Sequence, residues 1–153
     1  MSLEVEILLR VLLAAVLGAA VGYDRQRSHK PAGVRTHMLV ALGSALFVGS
    51  GVLVLDVYTA PLEVVRLDIL RVTAAVATGI GFLGAGAILR GDGTVHGLTT
   101  AAGIWVTAGI GLAAGLGQIV LAVGATVLAV VVIAVLSLGR GASQSESGDE
   151  ESV

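Results

Sequence analysis

The chain has 153 residues, 56% of them hydrophobic and 13% charged, with a formal net charge of −2, against roughly 25% charged in an average soluble domain. So few charges cannot coat a water-facing surface, which excludes a soluble monomer and leaves an all-α, polytopic membrane helix bundle in contact with the lipid bilayer. The lack of any cysteine excludes disulfide frameworks, thiolate metal sites and cysteine nucleophiles; no cofactor and no nucleic-acid partner are expected.

The first span is read near residues 4–22. Its uncharged stretch, Val11 to Tyr23, is 13 residues. It reaches the roughly 20 residues needed to cross a bilayer when extended back through Ile7-Leu8-Leu9, with Arg10 snorkelling to the interface. Glu4 and Glu6 stand where a signal peptide carries basic residues, so cleavage is not expected. The second span, near 34–55, holds 20 uncharged residues from Thr36 to Leu55, and the third, near 70–89, holds 18 from Val72 to Leu89. From Gly97 to Gly139, 43 consecutive residues lack Asp, Glu, Lys and Arg, enough for two helices, near 98–115 and 118–138. Gly115-Leu116-Gly117-Gln118 is the natural turn between them. Residues 1–139 thus read as a transmembrane domain of about five helices. Residues 140–153, with Glu146, Asp149, Glu150 and Glu151, read as a disordered acidic cytoplasmic tail.

Basic residues orient the bundle. Arg25, Arg27, Lys30 and Arg35 crowd the first connection, which marks it as cytoplasmic. Alternation then places Arg90 and Arg140 on that side and Arg10, Arg66 and Arg71 on the other, so the N-terminus is expected outside and the C-terminus inside. A shift of 64 residues also lays Gly22 on Gly86, Gly33 on Gly97, Val34 on Leu98 and Thr36 on Thr100, which suggests two related helix hairpins.

Glycine supplies 22 residues. Small residues recur at four-residue spacing in span one (Ala14, Gly18, Gly22), span three (Ala77, Gly81, Ala85) and span four (Thr99, Gly103, Thr107, Gly111, Gly115). Such stripes let helix backbones approach closely in lipid. Gly18, Gly22, Gly79, Gly81, Gly84, Gly103 and Gly111 are therefore expected at helix contacts, and the mid-span Trp105 as a packed anchor or pocket wall. Gly79-Ile-Gly81-Phe-Leu-Gly84 matches a dinucleotide fingerprint by letter alone, since it sits inside an apolar span with no preceding strand. The same packing chemistry would serve a homodimer.

The polar residues gather on the side assigned to the cytoplasm: Asp24, Arg25, Lys30, Arg35, Thr36 and His37 on one connection, Arg90, Asp92, His96, Thr99 and Thr100 on the other. Two helix N-termini lie among them, and their free backbone N–H groups favour negative charge. Asp24, Arg25, Arg35, Thr36, His37, Arg90, Thr99 and Thr100 are accordingly candidates for holding an anion or a partner's carboxylate. The alternative, that these charges only set topology, stays open at this level. No metal-ligand spacing accompanies His29, His37 and His96, no nucleophile motif is present, and an enzyme is not expected. Val72–Leu89 and Gly97–Gly139 hold no ionisable residue, an unpromising interior for a solitary Mg²⁺ pathway.

Four motifs stand in order: Gly22-Tyr-Asp24-Arg25-Gln-Arg27, Lys30-Pro-Ala-Gly33-Val-Arg35-Thr36-His37, Gly79-Ile-Gly81-Phe82-Leu-Gly84-Ala-Gly86, and Gly97-Leu-Thr99-Thr100-Ala-Ala-Gly-Ile-Trp105. Together they resemble the MgtC/SapB membrane-protein family over nearly all of residues 5–138. The resemblance implies a five-span protein of the prokaryotic inner membrane linked to growth under magnesium limitation and, in pathogen members, to survival inside macrophages. For some members it implies regulation of the membrane ATP synthase and of phosphate uptake rather than magnesium transport. Longer relatives continue into a cytoplasmic C-terminal domain, and this chain is expected to be a short form without it. The expected function is support of magnesium homeostasis by regulating a membrane partner, an ATP synthase or a transporter; a small-solute or Mg²⁺ permease is the alternative.

Overall fold

Each apolar run forms a helix. The computed structural model describes residues 2–57, 69–91 and 94–146, without the side chains of 56–57, 89–91 and 136–146. Among these residues the helices are α1 (Leu3–Arg27), α2 (Val34–Val57), α3 (Ile69–Gly86), α4 (Leu98–Gly115) and α5 (Ile119–Glu146). Helices α1 to α4 are each long and apolar enough to cross a membrane, and α5 is apolar over Ile119–Val135. The fold is an all-α membrane bundle. Helix α5 runs on to Glu146, into the segment read as a tail, because an established helix gains one hydrogen bond for each residue added. Residues 147–153, and Arg66 and Asp92, lie outside the described residues.

One element escaped the sequence reading. Between α3 and α4, β1 (Leu89–Gly91) pairs antiparallel with β2 (Thr94–His96), Arg90 facing Val95. The ribbon returns the chain to Gly97, whose φ of +88° is left-handed and whose missing Cβ would stand 2.0 Å from the Ala87 carbonyl oxygen. Only glycine fits this junction.

Helix α4 is central, with Thr100, Ile104, Thr107, Ile110 and Leu112 buried among others, and α3 is peripheral, with Gly84 its one buried residue among those described. Helices α1, α2 and α4 pack on one another, α5 lies on α4 and α1, and α3 lies on α4 and α2. The core is built of small side chains, with Ala14, Ala41, Ala45, Ala113, Ala114 and Ala122 beside Ile7, Val11, Val21 and Ile110. That composition permits backbone contact. A Cβ on Gly18 would stand 2.5 Å from the His37 carbonyl oxygen, one on Gly22 2.7 Å from Val34 Cα, and one on Gly111 2.3 Å from the Ala41 carbonyl oxygen. Ala41 is thus approached by α1 at Gly18 and by α4 at Gly111. Gly115 meets Ala45 and Val48 in the same way.

The packing expected of Gly79, Gly81 and Trp105 is not found. Nothing lies within 4 Å of a Cβ on Gly79 or Gly81: Gly79 lines an open apolar space between α3 and α2 with Gly43 and Phe47, and Gly81, on the opposite side of the helix, is exposed. Trp105 is 58% exposed, standing on the outer side of α4 while Ile104 and Thr107 face in. Gly84 is buried, but a Cβ there would make only an ordinary 3.8 Å contact with Ala101. Arg10 does more than snorkel: it pairs with Glu6 and donates from Nη1 to the Gly115 carbonyl at 3.4 Å, a cation at the negative end of α4.

Candidate functional site

The polar end of the bundle is organised by how α1 stops. Lys30 N donates to the Arg25 carbonyl at 3.0 Å and His29 N to the Gln26 carbonyl at 3.1 Å, with His29 in the left-handed region at φ +53°. This is a Schellman termination, in which the left-handed position is usually glycine. A histidine there is uncommon, and the motif fixes the directions in which His29 and Lys30 leave the backbone. Gln26 then holds the next turn, its Oε1 accepting from Val34 N at 3.3 Å.

Arg25 leaves the last turn of α1 inward and is 6% exposed. Its Nη2 donates to Thr100 Oγ1 at 2.7 Å across 75 residues of sequence, within the buried interior. Thr100 lies in the first turn of α4, whose N-cap, Gly97, has no side chain to cap the free N–H groups. A guanidinium therefore sits beside the positive end of a helix, where negative charge is locally favoured. A cavity of about 490 Å³ opens here, lined among the described residues by Arg25, His29, Lys30, His96, Thr99 and Thr100 together with Pro31, Val95, Gly97 and Leu98.

His37 lies behind this wall and is fully buried. Its Nδ1–H donates to the Gly33 carbonyl at 2.9 Å, and its Nε2 is buried without a hydrogen-bond partner among the described residues. A Cβ on Gly103 would stand 3.4 Å from that Nε2, so Gly103 leaves room for the imidazole between α2 and α4.

The candidates named from sequence separate accordingly. Arg25, Thr99 and Thr100 meet at the cavity, and His37 is buried beside it. Arg35 is exposed in the first turn of α2 and does not line the cavity; Thr36 is half-buried on the same turn. Asp24 is half-buried, and among the described residues it forms no ion pair. Arg90 belongs to β1, and its side chain lies outside the described residues. His29 and Lys30 were not among the candidate ligands. The Schellman motif that aims them carries little sequence signal when its left-handed residue is not glycine. No group of three or more His, Cys, Asp or Glu is placed to hold a metal ion among the described residues.

Residues 11–140 match the model of the MgtC family. The chain is 44% identical over 131 residues, 85% of its length, to the putative magnesium transporter YhiD of Escherichia coli K12, covering 60% of that protein. It is 43% identical over 121 residues, 79% of its length, to protein MgtC of Salmonella typhimurium strain LT2, covering 48% of that protein. To protein SrpB of Synechococcus elongatus it is 44% identical over 105 residues, 60% of this chain and 53% of that one. The chain thus spans about half to three-fifths of the length of these curated relatives. No solved structure gives a significant match. With the family model covering most of the sequence, the chain belongs to the MgtC family.

Proposed function

We propose that this protein supports magnesium homeostasis from the prokaryotic inner membrane by regulating a membrane partner, and that the cavity at Arg25 and Thr100 recognises an anionic group in doing so. The observation that carries this reading is the buried Arg25–Thr100 hydrogen bond beside the open N-terminus of α4. It concentrates donors on one end of the bundle. Relatives bearing names tied to magnesium, such as the putative magnesium transporter YhiD, support the physiological setting. The basic residues of the α1–α2 connection support a cytoplasmic position for the cavity, an N-terminus outside and a C-terminus inside. No catalytic role is proposed. An ATP synthase subunit or a transporter is the class of partner suggested by the family, and a homodimer is the proposed assembly.

The name of YhiD favours a second reading, a Mg²⁺ permease. Purified protein in liposomes separates the two. We expect no Mg²⁺ flux above that of empty vesicles, together with a growth defect of a deletion strain confined to low Mg²⁺. Flux that is saturable and lost in Arg25→Ala would establish the permease instead.

A further inference from the structure

The polar cavity has an apolar neighbour. Thr99, on its wall, is also the first residue of an apolar groove of about 310 Å³ that runs down α4 along Ala102, Gly103 and Val106, with Leu128 and Val132 of α5 opposite. Positions 99, 102, 103 and 106 share one helix face, so the basic pocket and the apolar groove adjoin at Thr99.

From this adjacency we infer that the site binds an anionic phospholipid, its phosphate in the basic cavity and an acyl chain along the groove. The inference rests on the reading of the cavity as an anion seat and specifies the anion. A phosphate diester offers acceptors that match what the cavity presents: the guanidinium of Arg25, the ammonium of Lys30, the hydroxyl of Thr99, the imidazoles of His29 and His96, and the first N–H groups of α4. A free anion would use the cavity and leave the groove without a role. A lipid uses both.

The test is retention of labelled phosphatidylglycerol by the purified full chain in lipid-free detergent, with phosphatidylcholine and inorganic phosphate as the comparison arms. Phosphatidylglycerol should bind saturably, and binding should weaken about tenfold in Lys30→Gln, which removes a charged donor, and about tenfold in Ala102→Trp, which blocks the groove. Both positions are exposed. Should Ala102→Trp unfold the protein, Leu128→Trp on the opposite wall, where the side chain is 67% exposed, supplies the block. Equal retention of phosphatidylcholine would overturn the inference, since a lipid held without regard to charge is boundary lipid. Displacement by millimolar phosphate, with both groove variants binding as wild type, would also overturn it while leaving the anion seat intact. Loss of binding to every anion would remove the seat as well.

Discussion

Arg25 Nη2 and Thr100 Oγ1 meet at 2.7 Å although 75 residues separate them, and this buried hydrogen bond ties the end of α1 to the start of α4. A buried hydrogen bond from a charged donor contributes more to stability than one between neutral groups. Thr100→Val should therefore lower stability in detergent by about 1–3 kcal/mol. In a double-mutant cycle with Arg25→Met, the second change should add little to the first, because both remove the same contact. Additive losses would mean that the two residues act separately.

Helix packing separates two glycines that look alike in sequence. Gly111→Leu drives a side chain into the backbone of α2 at Ala41, where a Cβ alone would stand 2.3 Å from the carbonyl oxygen, and should destabilise by about 3 kcal/mol or more. A Cβ on Gly81 meets nothing within 4 Å, and Gly81→Leu should leave the melting temperature in detergent near the wild-type value. Equal losses at both positions would contradict the placement of α3.

The left-handed turn residues make opposite predictions. Gly97→Ala should destabilise by more than the roughly 1–2 kcal/mol of the left-handed penalty, because its methyl would collide with the Ala87 carbonyl. His29→Gly should instead stabilise the Schellman turn by up to about 1 kcal/mol while removing an imidazole from the cavity. A chemical melt of each variant reads both signs.

Membrane orientation is accessible because the chain has no cysteine of its own. A cysteine at His29 should resist an impermeant thiol reagent in intact cells, and one at Gln118, exposed in the α4–α5 turn at the other end of the bundle, should react. The reverse pattern would put the cavity outside the cell.

The helices were legible because an apolar run of spanning length has few alternatives in lipid. The start of α4 lies 64 residues after that of α2, Leu98 against Val34, as the internal echo implied. The faces were harder to read. Four-residue spacing shows that Gly81 and Gly111 each lie on a small-residue stripe, but whether another helix lies across the stripe depends on the tertiary arrangement. The same limit hid the difference between Arg25 and Arg35, both basic and both near a helix end. Arg25 continues the buried face of α1 after Gly18, Val21 and Gly22, whereas Arg35 falls on an exposed position of α2. The ribbon of β1 and β2 did leave a trace, since Asp92-Gly93 is a dipeptide favoured between the strands of a two-residue hairpin.

The most direct test of the site is complementation of a deletion strain at low Mg²⁺ by Arg25→Lys and Arg35→Lys, with membrane insertion of each verified. Lysine preserves the charge that sets topology but cannot reproduce the planar, multiply donating guanidinium. Arg25→Lys should insert normally and fail to restore growth, and Arg35→Lys, altered at an exposed position, should restore it. Full growth with Arg25→Lys would reduce the cluster to a topology signal and contradict the proposed recognition site.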